Sequence, residues 1–213
     1  MQWVLIAIAA LIAVFVAAQL CWRYASRRRT LPCPVWLSWL LTNPLSPGDG
    51  GSAALLDRLG LKPGMRVLDV GCGPGRVSIP AARRVGPDGQ VVALDVQAAM
   101  LEKLQRRAAT GGVANIRTVL GPVEAAGLEA DSCDRAVLVW VLGEIPDQAA
   151  ALRRVFAALK PGGLLAIAET LRDPHYQRVA TVLRLADSVG FRRGEYHKGW
   201  LSYTLHFVKP AAA

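Results

Sequence analysis

A chain of 213 residues that is 53% hydrophobic, with a mean hydropathy of +0.30, has room for one globular domain plus an apolar appendage. Its formal charge of +9 admits anionic lipid or nucleic acid as a partner, but aromatics do not alternate with the basic residues as a single-strand platform requires, so nucleic acid is disfavoured. The four cysteines form no C-x-x-C pair and His175, His197 and His206 lie scattered, so no metal set is expected and the cysteines read as reduced packing thiols.

Met1–Trp22 contains no charged side chain, and about 20 apolar residues in a helix match the ~30 Å hydrocarbon core of a bilayer. Val16-Ala17-Ala18 resembles a cleavage site, yet a signal peptide carries its positive charge ahead of the apolar run, whereas Arg23 and Arg27–Arg29 follow it here. The expectation is therefore a single membrane-crossing anchor with the N-terminus outside and the rest of the chain in the cytoplasm. Arg27–Arg29 are expected to meet anionic headgroups. Residues 23–51 form a basic juxtamembrane segment in which Trp36, Trp39 and Leu40 share one helix face, suited either to headgroup depth or to packing on the domain.

From residue 52 to 213 strands alternate with helices. Ser52 caps a helix through Leu59, MRVLDVG reads as a buried strand, Arg76–Val85 as a helix and QVVALDV as the next strand. Ala98–Thr110 is an amphipathic helix, Asn115–Leu120 and Arg135–Val141 are strands, Gln148–Leu159 is a helix and LLAIAE another strand. A helix near Gln177–Val189 precedes two strand-like stretches, the last expected to be antiparallel. The alternation predicts an α/β fold, a Rossmann-like doubly wound, mostly parallel sheet of seven strands.

The sharpest motif is VLDVGCGPGR, in which a buried strand ends at Asp69 and opens into Gly71, Gly73 and Gly75. A dinucleotide fingerprint counted from Gly71 needs glycine at position 76, where the chain has Arg76. With VVALDV, GPVEAAGL, WVLGEIPD and ALKPGGLLAIAE following in order, the chain from about Leu55 to Val208 resembles the class I S-adenosylmethionine-dependent methyltransferases, especially the ubiquinone and menaquinone group of small-molecule enzymes.

That resemblance implies S-adenosyl-L-methionine as methyl donor and S-adenosyl-L-homocysteine as product. It implies that Asp69 and the backbone of Gly71, Cys72, Gly73 and Gly75 hold the methionine portion, and that Asp95 accepts both ribose hydroxyls. Val96 and Met100 would flank the adenine, beside Val139 and Trp140 on the pocket wall. Relatives place an acidic residue where this chain has Pro122, leaving the adenine to Val123 N–H and Glu124. They also carry L-H-H-V-P-D where this chain has Leu142, Gly143, Glu144, Ile145, Pro146 and Asp147. Glu144 is the candidate general base or substrate-orienting group, and His175 and Tyr176 are candidates for the acceptor pocket.

An anchored enzyme favours acceptors that share its bilayer, so a lipid or lipid-like acceptor is expected first. A small hydrophobic molecule or thiol is the alternative. A non-catalytic, cofactor-binding scaffold is a third possibility, resting on Pro122 and Gly143.

Overall fold

The continuous apolar runs build one sheet from the centre outward. The computed structural model describes residues 2–29, 32–35, 38 and 48–211. Its helices are α1 (Gln2–Arg29), α2 (Gly48–Arg58), α3 (Ser78–Val85), α4 (Ala98–Thr110), α5 (Gln148–Ala158) and α6 (Val179–Val189). Its strands are β1 (Arg66–Val70), β2 (Gln90–Asp95), β3 (Ile116–Leu120), β4 (Cys133–Val139), β5 (Leu159–Thr170), β6 (Arg192–Lys198) and β7 (Ser202–Val208).

The seven strands lie in the order β3-β2-β1-β4-β5-β7-β6. The first five are mutually parallel, and β7 enters antiparallel between β5 and β6. Strand side chains alternate between faces, and both faces are covered. Val67, Val91, Ala93, Val137 and Ala166 meet α2, α3 and α4 on one side. Leu68, Val70, Leu138, Leu165 and Ile167 meet α5 and α6 on the other. The strand order reverses between β1 and β4, so the crevice at the carboxyl ends of β1, β2 and β4 is where a ligand of such a sheet binds.

Several expected boundaries move. Helix α2 begins at Gly48, ahead of Ser52, which is buried within it. Arg76 and Val77 belong to the turn before α3, and β4 ends at Val139 because Trp140 takes a left-handed conformation (φ 58°) that breaks the ladder. At α5 the Asp147 side chain accepts a hydrogen bond from Ala150 N (2.8 Å), an N-cap that satisfies one orphan donor.

The expected membrane crossing is corrected. α1 continues past the expected boundary at Trp22 to Arg29. Among the described residues, however, no helix is long and apolar enough to cross a membrane. Gln2 and Gln19 bracket the uninterrupted apolar stretch, residues 3–18, which spans about 24 Å at 1.5 Å per residue, short of the ~30 Å core. The topology inferred from it, N-terminus outside and domain cytoplasmic, falls with it. Trp36, Trp39 and Leu40 lie outside the described residues.

Candidate active site

The site grows from the end of β1. Burial of Asp69 pushes its pKa up to about 6, against the opposing effect of Ser78, whose hydroxyl donates to Asp69 Oδ2 at 2.5 Å. Gly71 follows with φ 68°, and a Cβ there would lie 2.3 Å from Val141 Cγ2. The bare backbone is thus required at this turn. At the end of β2, Asp95 Oδ2 accepts from Gly73 N and Oδ1 accepts from Gln97 N, each at 2.9 Å, so one carboxylate ties the glycine turn to the next loop. Burial raises the Asp95 pKa, while those backbone N–H groups act to lower it.

Asp69, Gly71, Cys72, Gly73 and Asp95 all line one cavity of about 400 Å³, joined by Val96, Met100, Val123, Glu124, Val139 and Trp140. Gly75, expected beside them, does not line it: a Cβ there would lie 2.9 Å from Leu104 Cγ, so this glycine serves the approach of α4. Pro122 lines the wall, and Glu124 Oε2 is buried without a hydrogen-bond partner. An orphaned acceptor in a cavity fits a ligand with an N–H donor, such as an adenine amino group. A bare glycine turn, a carboxylate at the end of β2 and this acceptor together fit S-adenosylmethionine.

The opposite wall is the acceptor end. Glu144 closes a short 3₁₀ turn, Leu142–Glu144, and lines the cavity with Val141, Ile145 and Pro146. Burial, with the Asp173 carboxylate nearby, pushes its pKa up to about 8. Gly143 has a structural reason to replace the histidine of the family pattern: a Cβ there would lie 1.9 Å from His175 O. His175 is buried behind the wall, its Nδ1 3.9 Å from Glu144 Oε1 and 3.7 Å from Asp173 Oδ1, and it does not line the cavity. Tyr176 does not line it either, because its ring packs edge-on against Tyr203 at 5.9 Å in the core. Glu169, buried in the same region, is pushed up to about 8 by desolvation, so protonated carboxyls gather around this wall near neutral pH.

Three features lay outside the sequence reading. The Arg76 guanidinium stacks 3.8 Å over the Trp140 ring and so supports a wall of the cavity. Arg107 Nη1 donates to Pro74 O at 2.5 Å, bracing the glycine turn from α4. Residues 32–35, with Ser38, lie across the mouth as a strap. Gln97 Nε2 donates to Cys33 O (3.0 Å), and Lys103 Nζ donates to Val35 O (2.9 Å) and to the buried Ser38 Oγ (2.7 Å). Pro32 and Cys33 line the cavity, and the Cys33 N–H bonds to the Glu144 carboxyl. Burial and three neighbouring carboxylates push the Cys33 thiol up to about 11, so it is a neutral wall group. Replacing Lys103 by methionine, which keeps the stem and removes the cation, is expected to speed cofactor dissociation about tenfold in stopped-flow measurements. No change in the off-rate would show that the strap does not retain the cofactor.

A family model described as a methyltransferase domain matches residues 61–184, more than half of the chain. The chain belongs to this methyltransferase-domain family. Over 120 residues it is 34% identical to nocamycin O-methyltransferase of Saccharothrix syringae, covering 56% of this chain and 43% of that one. Over 112 residues it is 33% identical to demethylmenaquinone methyltransferase of Staphylococcus aureus, covering 53% and 46% respectively. The chain thus spans less than half the length of these curated relatives. In fold it is similar to a SAM-dependent methyltransferase from Aquifex aeolicus (TM-score 0.69, 22% identity, 83% of this chain and 94% of that one). It is also similar to Haemonchus contortus phosphoethanolamine N-methyltransferase 2, solved with S-adenosyl-L-methionine (TM-score 0.70, 20% identity, 83% and 56%).

Proposed function

We propose that the chain methylates a small apolar acceptor bearing a phenol or enol hydroxyl, and that Glu144 takes the hydroxyl proton. The observation that carries this reading is the Glu144 carboxyl, largely buried among Val141, Ile145 and Pro146 with its pKa raised to about 8. An apolar molecule of modest size suits the cavity of about 400 Å³. Of the two curated relatives, one is by name an O-methyltransferase, which supports a hydroxyl acceptor, and one acts by name on demethylmenaquinone, which supports an apolar one.

S-adenosylmethionine supplies a methyl group already activated on a sulfonium, so this chain's residues chiefly hold two reactants in line and exclude water. Asp69, Asp95, the Gly71–Gly73 backbone and Glu124 would hold the cofactor. The strap at Pro32 and Cys33 shields the acceptor end. Glu144 acts in its carboxylate form: as the acceptor oxygen loses its proton to that carboxylate, its electron pair becomes available to the incoming methyl carbon. A buried carboxylate whose conjugate acid has a pKa near 8 is a far stronger base than an exposed glutamate.

The pH dependence follows with a definite sign. Below pH 8 the acid form of Glu144 predominates in the free enzyme, and about one tenth is carboxylate at pH 7. With a naphthol as acceptor, kcat/KM is therefore expected to rise with pH and level off above about 8. The midpoint in kcat should lie lower, because a bound sulfonium favours the carboxylate. Glu144→Gln is expected to cut kcat by about 100-fold or more and to flatten this rise, leaving cofactor affinity nearly unchanged. An unaltered rate and pH profile in that variant would overturn the assignment. A thiophenol, which ionises unaided, should depend much less on Glu144.

A further inference from the structure

The histidines that lie scattered in the sequence do not all stay apart in the fold. β6 and β7 pair antiparallel with His197 opposite Thr204, and the register shifts between Arg193 and Tyr196. Residues two apart on a strand share a face, so Glu195, His197, Thr204 and His206 project from the same side of this ribbon. Glu195, His197 and His206 each bring a ligating atom within 4.8 Å of the other two. The His197 and His206 rings meet edge to face with centroids 5.0 Å apart.

Donor atoms about 3.3 Å apart are what a tetrahedral ion with bonds of ~2.0–2.1 Å requires. Here Glu195 Oε2 lies 2.9 Å from His197 Nε2 and 3.9 Å from His206 Nδ1, which brackets that separation. The polar groups are not otherwise satisfied. His206 is buried at 3% exposure, and His197 Nε2, close to Glu195 as it is, forms no aligned hydrogen bond, so the nitrogen it would offer an ion is unsatisfied. A buried imidazole nitrogen without a partner is uncommon and calls for a ligand or ion.

We propose that Glu195, His197 and His206 bind a divalent transition-metal ion of the zinc type, clipping the edge strand β6 to β7. Two imidazoles and one carboxylate suit zinc, cobalt or nickel, and three protein ligands leave a position for water. Glu195 is exposed and His197 part-buried, so an ion can enter from solvent. Burial and the Arg58 cation keep His206 towards its neutral, ligating form, while Glu195 acts the other way. The Arg58 cation at the end of α2 also opposes a metal, and the Glu195 carboxylate offsets it. Spacing along the chain keeps these histidines apart and so suggests no metal set, whereas the hairpin brings His197 and His206 together.

The test is a titration of the chelator-treated full chain with Co²⁺, followed by displacement with Zn²⁺. One Co²⁺ per chain is expected, with visible d–d absorption and no sulfur-to-cobalt charge-transfer band. His197→Ala and Glu195→Gln, both outside the buried core, should each weaken binding by about 100-fold. Absence of stoichiometric binding, an isotherm unchanged in both variants, or a charge-transfer band assigning the ion to cysteine would each overturn the proposal. All of these readouts are independent of methyl transfer.

Discussion

Asp95→Ala is expected to weaken S-adenosylmethionine binding by at least about 100-fold in calorimetry, with the far-ultraviolet circular dichroism unchanged. Asp95 does two things at once. Its Oδ2 holds Gly73 N and its Oδ1 holds Gln97 N, each at 2.9 Å, and the Gln97 side chain in turn holds the strap at Cys33 O. The same carboxylate stands at the end of β2, where the family resemblance has it accept the ribose hydroxyls. Hydrogen bonds to a charged group contribute about 1.5–3 kcal/mol each, so losing two corresponds to a factor of roughly 100 to 10,000. Asp95→Asn keeps one acceptor oxygen and should fall between. If Asp95→Ala bound the cofactor as the parent does, Asp95 would not be one of the groups that hold it.

Gly71→Ala is expected to lower both stability and cofactor affinity. At φ 68° a side chain costs about 1–2 kcal/mol from the left-handed conformation alone. The new Cβ would lie 2.3 Å from Val141 Cγ2 and 2.8 Å from Val141 Cβ, and Val141 packs on the main core cluster and cannot give way freely. Overpacking of that kind costs typically about 1–3 kcal/mol, so a total near 2–5 kcal/mol should lower Tm by roughly 5–15 °C. Gly73→Ala is the internal control. Its φ is 52°, but nothing lies within 4 Å of the added Cβ, so only the conformational cost applies. A melting curve for Gly71→Ala no lower than that for Gly73→Ala would contradict this account of the turn.

What was legible in the sequence was what local pattern encodes. Continuous apolar strands between amphipathic helices specify a sheet covered on both faces, and the order of turns fixes which strand ends meet, so Asp69, the glycine turn, Asp95 and Glu144 fall around one cavity. Contacts between distant segments were not legible. Gly75 looks like a cofactor glycine until Leu104 is placed against it, and Tyr176 looks like a pocket residue until Tyr203 takes its ring. Residues 23–51 read as a basic juxtamembrane segment, and only Lys103 and Gln97 reveal where Cys33, Val35 and Ser38 lie. The Glu195, His197 and His206 cluster depends on the register of a hairpin. The apolar N-terminal run reads as a span because it carries no charge, yet Gln2 and Gln19 bracket it and leave it short of the bilayer core.

The most direct test of the central claim is transfer of a labelled methyl group from S-adenosylmethionine by the full chain to a panel of naphthols, phenols and hydroxyquinones, with product partitioned between organic solvent and water. Label is expected in the organic phase, dependent on Asp95 and strongly reduced in Glu144→Gln. Label confined to water-soluble products, or transfer indifferent to Glu144, would contradict an apolar hydroxyl acceptor whose proton this carboxylate removes.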